Sequence, residues 1–307
     1  MFEPDRPIEV LGLGSVTVDF VGTANAWPGK GVKKMLDSFM ICDGGLVGTA
    51  LVASARLGGK AAFAGKLGHS EMARRALEAL NRESVDTSFV VETEDAEPIV
   101  SFILPNSTDG QRNIFWTRQN VQYPMPWEFP DRNWFRRTAV LLIDFESGLA
   151  GIEAAKTAKQ HDIPVVIDVE HNEPHVAEAM SVSSHIIVSE EFAGSYTGCA
   201  NVAEMLVSLR SNPGQVVIIT RGENGCVGSS KGGRFELPAF AVEVVDTTGC
   251  GDTFHGAFAL AIARGQSVAS AARFASGAAA LCATQLGGRA GIPTAQELEQ
   301  FLSRHES

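Results

Sequence analysis

The segment VEVVDTTGCGDTFHGAF, residues 242–258, is the most informative part of this sequence. Its apolar, β-branched beginning, Val242 to Val245, predicts a strand. The small and apolar residues that follow Asp252 predict a helix that ends at Arg264. A tight loop between the two would leave free backbone N–H groups at the helix start, and such a start binds anions, phosphate above all. The segment therefore predicts a phosphate site between a strand and a helix.

The loop in this segment carries the residues that phosphoryl transfer needs. Gly249 and Gly251 allow the backbone to approach an anion closely, so that their amides and that of Cys250 would surround it. Asp252 then stands beside the anion, where its carboxylate could accept a proton from an attacking hydroxyl. The alternative is an ordinary strand-to-helix connection in which Asp252 caps the helix. The full pattern of glycines and acids favours phosphoryl transfer.

The composition is ordinary for a soluble globular enzyme. Of its 307 residues, 45% are hydrophobic and 20% are charged, and the formal net charge is −11. This charge argues against nucleic acid or an anionic membrane as a partner, and no apolar run approaches the roughly 20 residues of a membrane helix. The N-terminus is polar and the five cysteines are scattered, so neither a signal peptide nor a disulfide framework is indicated. We therefore expect a cytoplasmic location.

Strands alternate with helices along most of the chain. The pattern predicts strands at 8–13, 60–65, 139–143, 164–169, 185–188 and 215–220, with helices among them and three more helices after the loop. This alternation predicts a three-layer α/β/α fold with a mostly parallel central sheet. Ligands of such sheets bind at the carboxyl ends of the strands. The loops after residues 13, 143, 169, 188, 220 and 245 should therefore meet in one cleft.

Two segments depart from this alternation. Residues 16–41 contain short strands and turns, and residues 98–118 are typical of a hairpin whose strands, 99–104 and 113–117, flank the turn-rich Pro105–Gly110. We expect the two segments to form a small β-sheet lid over the cleft. The α/β domain would then comprise residues 1–15, 42–97 and 119–307.

The motifs of the chain resemble those of one enzyme family. The string DTTGCGDTF at 246–254 closely resembles the C-terminal signature of the ribokinase-like (phosphofructokinase B type) carbohydrate kinases. Residues 44–49 and 55–58 are similar to the family's glycine loop and the helix end that follows it, and residues 220–225 to its Thr-x-Gly-x-x-Gly turn. The resemblance implies the ribokinase-like fold with its lid. It also implies transfer of the γ-phosphoryl group of ATP, with Mg²⁺, to a primary hydroxyl of a monosaccharide, with Asp252 as general base.

The same resemblance implies which residues bind the acceptor sugar. They are the acids Asp19 and Glu146, Gly44, Gly45 and Thr49 of the glycine loop, and Lys33 of the lid. A carboxylate at Glu146 favours a neutral polyol and repels a substrate that carries phosphate, sulfonate or carboxylate. Lys33 would offset this repulsion if the substrate were anionic.

The resemblance also implies the residues of the nucleotide and metal sites. The nucleotide-binding residues would be Ser189, Thr220, Gly222, Gly225 and Thr248. The Glu of the family's Asn-x-x-Glu pattern, which helps to organise Mg²⁺ through water, is Phe192 here, so Glu190 or Asp246 would replace it. Residues 287–293 correspond to the segment that closes the adenine pocket and, in several members, a monovalent cation site for K⁺. Together with Thr49 and Ser189, this segment is most similar to the branch with kinases of ketohexose-like sugars, such as sulfofructose kinase.

Two other functions remain open at this stage. A nucleoside kinase of the same fold would stack aromatic lid side chains on a base, and the candidates are Phe20, Trp27, Phe39 and Trp116. A non-catalytic sugar or nucleotide sensor would have lost Asp252 or its glycines, but both are present. Because the lid of relatives often pairs with that of a second subunit, we expect a homodimer through the lid.

Overall fold

The computed structural model describes residues 7–105 and 112–305. The strands are β1 (Ile8–Leu13), β2 (Thr17–Thr23), β3 (Ser38–Gly44), β4 (Ala61–Ala64), β5 (Lys66–Leu67), β6 (Val91–Glu92), β7 (Ile99–Pro105), β8 (Arg112–Thr117), β9 (Thr138–Asp144), β10 (Val165–Val169), β11 (His185–Ser189), β12 (Val216–Thr220), β13 (Cys226–Ser230) and β14 (Gly233–Leu237). The helices are α1 (Leu46–Arg56), α2 (Glu71–Arg82), α3 (Trp134–Arg137), α4 (Gly148–Gln160), α5 (Val176–Val182), α6 (Glu190–Thr197), α7 (Val202–Ser208), α8 (Cys250–Ala263), α9 (Val268–Cys282) and α10 (Ala295–Ser303). None of the helices within these ranges is both long and apolar enough to cross a bilayer.

An eight-stranded sheet forms the centre of the molecule. Its strand order is β14-β13-β12-β11-β10-β9-β1-β4, and the strands from β12 to β4 are parallel. In β9, Val140 and Leu142 pack against one hydrophobic cluster with α1, α8 and α9, whereas Leu141 and Ile143 pack against the cluster that contains α4 to α7. Successive side chains of a strand point to opposite faces, so both faces are covered by helices. This confirms the predicted three-layer α/β/α fold.

A separate four-stranded sheet lies beside the main one, with the order β3-β2-β7-β8. Strands β2 and β7 are parallel, and the other neighbours are antiparallel. The predicted hairpin is present as β7 and β8, while residues 106–110 of its predicted turn lie outside the described residues. We call these four strands the small sheet. Its action as a lid, and the domain boundaries drawn around it, stay predictions.

The strand predicted at Val242 to Val245 is wrong. This segment has no regular structure, and Val244 and Val245 are 59% and 57% exposed. The N–H groups of Val245 and Asp246 both donate to the carbonyl of Ala283, beyond the end of α9. The edge of β12, which this segment would need for pairing, is occupied by the antiparallel hairpin of β13 and β14. A β-branched run forms a strand only where a neighbour can pair with it.

Helices α1 and α8 touch through their backbones. A Cβ atom added to Gly256 of α8 would lie 1.9 Å from the carbonyl oxygen of Ala50 in α1. The hydroxyl of Ser54 donates to the carbonyl of Gly256 across this contact, at 2.9 Å. Because α1 follows the glycine loop and α8 follows the Gly-Cys-Gly loop, the contact holds the two loops in a fixed relation.

Candidate active site

A cleft of about 340 Å³ lies between the small sheet and the carboxyl ends of β1, β9 and β10. Its walls are formed by Ser15, Thr17, Asp19, Gly45, Leu46, Ile99, Ser101, Ile114, Trp116, Phe145, Glu146, Glu170, His171 and Asp252. The volume is within the range of small-molecule sites, about 300–1,000 Å³. Asp19, Gly45 and Glu146, which were predicted to bind the acceptor, thus share one cleft with Asp252, the predicted general base.

The start of α8 has the backbone that the sequence predicted. Gly249 adopts φ +76°, and a Cβ there would lie 2.1 Å from the carbonyl oxygen of Gly288. A Cβ on Gly251 would meet no atom within 4 Å, so this residue faces open space. The N–H of Cys250 donates to the carbonyl of Thr247 at 3.2 Å. The predicted contribution of the Cys250 amide to the anion site is therefore wrong, because this N–H is already engaged. The N–H groups of Gly251 and Asp252 lie in the first turn and lack a partner within the helix, so they are suited to bind an anion.

Asp246 holds this loop in place. One carboxylate oxygen accepts hydrogen bonds from the N–H and the hydroxyl of Thr248, at 2.9 and 2.8 Å, and the other accepts from the N–H of Gly287 at 2.9 Å. The residue predicted to bind metal therefore connects the Gly-Cys-Gly loop to the segment 287–293. Thr248, predicted to bind nucleotide, forms part of the same connection.

Asp252 lies in an acidic environment. Loss of hydration, together with the nearby carboxylates Asp168 and Glu170, raises the pKa of Asp252 well above its usual value. Burial also raises the pKa of Asp168, with Glu170 and Asp144 adding to the effect. His255, one turn along α8, contacts both the sheet and the start of the helix, with Nδ1 3.3 Å from Asp168 of β10 and 2.8 Å from the carbonyl of Gly251. A carboxylate with a raised pKa is a stronger base near neutral pH.

A second acid, Asp144, fixes the start of α1. It accepts hydrogen bonds from both the N–H and the hydroxyl of Ser15 at 2.7 Å, and the Ser15 hydroxyl accepts from the N–H of Leu46. Burial raises the pKa of Asp144 to about 7, although the hydrogen bonds from Ser15 lower it. A Cβ on Gly14 would lie 2.5 Å from Asp144. The sequence analysis missed this pair, although the adjacent ends of β1 and β9 place it.

The acceptor side of the cleft is polar. The hydroxyl of Ser101 in β7 donates to Asp19, and burial raises the pKa of Asp19. A Cβ on Gly44 would lie 2.6 Å from both Asp19 and the hydroxyl of Thr17, so a glycine is needed at this position. Thr17 and Ser101, which the motifs did not indicate, therefore join the predicted acids.

Three predicted acceptor residues, Gly44, Thr49 and Lys33, are not part of the cleft wall. Thr49 is 2% exposed, and its hydroxyl faces Nε of Arg289 at 3.3 Å. Arg289 also donates to the carbonyl of Gly44 at 2.7 Å. Lys33 is exposed, in the segment between β2 and β3. Thr49 therefore supports the glycine loop from behind, and Lys33 does not line the cleft.

Four of the five predicted nucleotide residues lie at or just beyond the carboxyl ends of β11 and β12, whereas Thr248 belongs to the loop before α8. Ser189 and Thr220 are partners in the register of these strands, and the Ser189 hydroxyl caps α6 by accepting from the N–H of Phe192. Gly222 and Gly225 adopt φ +54° and +78° in the turn that follows. Glu190 pairs with Arg221 at 3.4 Å. Within the described residues, no group of three or more His, Cys, Asp or Glu side chains forms a metal site.

Comparison with known proteins extends these observations. The model of the "pfkB family carbohydrate kinase" matches residues 9–295. The ribokinase of Bacillus subtilis (strain 168) is 28% identical over 293 residues, which cover 95% of this chain and 98% of that protein. The probable fructokinase-5 of Arabidopsis thaliana is 26% identical over 321 residues, covering 95% and 97%. The structure of Arabidopsis thaliana ribokinase complexed with ribose and ATP has the same fold, with a TM-score of 0.84, 23% identity and coverage of 95% and 98%.

Proposed function

The chain belongs to the pfkB family of carbohydrate kinases, and we propose that it transfers the γ-phosphoryl group of ATP to a primary hydroxyl of a monosaccharide. The observation that carries this proposal is the position of Asp252, which stands at the start of α8 and lines the same cleft as Asp19 and Glu146. A sugar hydroxyl in this cleft is therefore within reach of both the base and the helix start.

Asp252 would accept the proton of the attacking hydroxyl as its bond to phosphorus forms. The amides around Gly251 and the dipole of α8 would stabilise the charge on the transferring group. Asp19, with Ser101 behind it, and Glu146 would accept hydrogen bonds from the other hydroxyls of the sugar and so position it. The small sheet would cover the cleft and exclude water.

ATP and Mg²⁺ are the proposed cosubstrate and metal. A solved structure of this fold, titled a putative ribokinase II of E. coli, is in complex with ATP and Mg²⁺. Mg²⁺ is usually bound by one or two carboxylates together with phosphate oxygens, so it does not need a cluster of protein ligands. Glu170 fits this role best, because it lines the cleft with Asp252, whereas Asp246 and Glu190 are engaged with Gly287 and Arg221. The bound metal would neutralise phosphate charge. A K⁺ site at 287–293 stays a prediction.

The acceptor is proposed to be neutral at the end that meets Glu146. Four carboxylates line the cleft, those of Asp19, Glu146, Glu170 and Asp252, and the described lining includes neither Lys nor Arg. A ketohexose-like sugar agrees with this charge, whereas an anionic relative such as a sulfonated or phosphorylated sugar does not. Trp116 in the cleft wall also offers a stacking surface, which keeps a nucleoside as the second candidate.

An assay of ADP release tests the proposal. The panel contains neutral pentoses and ketohexoses, their phosphate monoesters, and nucleosides, each with Mg²⁺ and ATP. We expect a neutral sugar to give the highest kcat/KM. Asp252→Asn should lower kcat with that sugar by about 10²- to 10⁴-fold, the usual contribution of a general base, and leave ATP binding in calorimetry nearly unchanged.

Asp95→Asn, at an exposed site, is the matched control and should keep wild-type turnover. If Asp252→Asn turns over at a wild-type rate, Asp252 is not the base. If ATP binds but none of the acceptors raises ADP release, the kinase proposal fails and a sensor is favoured.

A further inference from the structure

Arg118 occupies the mouth of the cleft. Nη2 donates to Oε1 of Glu146 at 2.6 Å, and Nη1 lies 3.3 Å from Oε1 of Glu173. The guanidinium carbon also lies 4.6 Å from the ring centre of Trp116, over its face. Arg118 therefore contacts two residues of the cleft wall, Glu146 and Trp116, although it is not itself part of that wall.

These contacts join two parts of the molecule. Arg118 follows β8 at the edge of the small sheet, whereas Glu146 follows β9 and Glu173 follows β10 in the main sheet. One planar guanidinium can hold two carboxylates and stack on an indole at the same time, which the compact ammonium of a lysine cannot do. The arrangement fastens the outer edge of the small sheet to the loops that form the floor of the cleft.

The carboxylate of Glu146 depends on this partner. The Glu146 side chain is only 10% exposed, whereas that of Arg118 is 37% exposed. The surroundings are acidic, because Asp144 lies close enough to Glu146 for their charges to interact and Glu173 shares the same guanidinium. A nearly buried carboxylate without a counter-charge would be unfavourable here. Because Arg118 is partly exposed, the ion pair contributes little to the stability of the fold. Its main effect is to fix the position of the Glu146 carboxylate.

We propose that Arg118 is a positioning residue for the acceptor, because it holds Glu146 in the cleft wall to accept a sugar hydroxyl and fastens the small sheet over that sugar. The proposal rests on the proposed sugar-kinase function. The cation near the substrate is then Arg118 rather than Lys33, and its charge is already neutralised by Glu146 and Glu173. Oε1 of Glu146 is occupied by Arg118, so Oε2 is the oxygen left for the sugar.

Kinetics of Arg118→Gln test this role. We expect KM for the best sugar of the panel to rise about 10- to 100-fold, as for loss of a hydrogen bond to a charged group. KM for ATP and kcat should stay within threefold. The sugar KM of Arg118→Lys should lie between those of the wild type and Arg118→Gln, since lysine keeps the positive charge but lacks the planar, two-sided guanidinium. Arg264→Gln is the control, because Arg264 has a similar exposure of 39% but pairs with Glu9 at the start of β1, away from the cleft, and its sugar KM should stay within threefold.

The double variant Arg118→Gln/Glu146→Gln separates positioning from independent contributions. If Arg118 acts through Glu146, the sugar KM of the double variant should be no higher than that of Glu146→Gln alone. An unchanged sugar KM in Arg118→Gln, or effects of the two substitutions that multiply, would overturn the proposal.

Hydrogen exchange of the enzyme without substrate provides a readout that does not depend on turnover. Peptides that cover 112–118 and 145–149 should exchange faster in Arg118→Gln than in the wild type and in the control Arg264→Gln. Unchanged exchange would show that Arg118 does not fasten the small sheet. If no acceptor is turned over at all, the kinase function fails, while this measurement still decides whether the fastening exists.

Discussion

Asp252 is surrounded by negative charge, and this determines how the site should respond to pH. Burial raises the pKa of Asp252 most, the charges of Asp168 and Glu170 raise it further, and Arg289 opposes them. The active form of a general base is the deprotonated one, so activity should fall as the pH falls through this raised pKa. The acid limb of the kcat profile should therefore lie above the usual range for an aspartate, about pH 3.9.

Removal of one neighbouring charge tests this interpretation. Glu170→Gln takes away a carboxylate that raises the pKa of Asp252, so this pKa should be lower in the enzyme free of ATP and Mg²⁺. Glu173→Gln removes a carboxylate that is not among these neighbours and should leave the pKa unchanged. Because Glu170 is also the residue proposed to hold Mg²⁺, the measurement is an NMR titration of the Asp252 carboxyl in the three proteins without nucleotide or metal. A pKa that stays in place or rises in Glu170→Gln would contradict the prediction.

At the residue scale, the sequence predicted the local chemistry but not the long-range partners. Gly249, Gly251 and Asp252 belong to one continuous motif, so their proximity needed no knowledge of the fold. Glu146 and Arg118 are 28 residues apart, and Ser15 and Asp144 are 129 apart. The hydroxyl of Thr49 points toward Arg289 rather than into the cleft. This direction depends on how α1 packs, and a sequence motif carries no information about that packing.

At the element scale, the contact between α1 and α8 sets the distance between the acceptor loop and the catalytic loop. Gly256→Ala would push a methyl group into the carbonyl of Ala50. Backbone cannot yield as a flexible side chain does, so we expect a loss of about 1–3 kcal/mol in the free energy of unfolding. Turnover should fall together with stability, because the substitution would shift the acceptor loop and the catalytic loop relative to each other. Chemical denaturation and ADP release measure the two effects.

Gly251→Ala is the matched substitution in the same helix. Its added methyl group would meet no atom within 4 Å, so the free energy of unfolding should not fall. Turnover should nevertheless fall, because the methyl group enters the space where the phosphoryl group is proposed to lie. Equal destabilisation by the two substitutions would show that the helix contact at Gly256 has no special importance.

The elements that the sequence predicted correctly share a simple physical origin. The buried parallel strands are continuous runs of Val, Ile and Leu, which are recognisable without knowledge of their neighbours. Val242 to Val245 has the same composition, but its position in space leaves it without a strand to pair with. The hairpin of β13 and β14 was missed because Gly, Ser and charged residues interrupt its apolar pattern.

At the scale of the whole molecule, the small sheet has one face over the cleft and one turned away from it. Thr17, Asp19, Ser101 and Trp116 line the cleft, and the intervening positions point to the opposite, outer face, where Val18 is buried against the main core. Phe20, Phe102 and Phe115 are direct neighbours across three strands of this outer face. Phe102 and Phe115 are 50% and 63% exposed. If the homodimer expected from the sequence forms through the small sheet, this aromatic row is the apolar surface that it would bury.

Phe115→Asp tests this assembly by sedimentation equilibrium. The wild type should have the mass of a dimer, and the variant that of a monomer, because a charge in an apolar interface is unfavourable. Val207→Asp, on an apolar side chain of α7 that is 75% exposed, should leave the mass unchanged. A monomeric wild type would rule out the dimer.

The backbone contact at Gly256 also has a consequence for protein engineering. The rigid pair α1 and α8 carries the catalytic geometry, whereas Thr17, Ser101 and Trp116 are contributed by the small sheet. Libraries that vary these three positions would redesign the choice of acceptor without altering the catalytic scaffold. Substitutions at Ala50, Ser54 or Gly256 should instead be screened as one linked set.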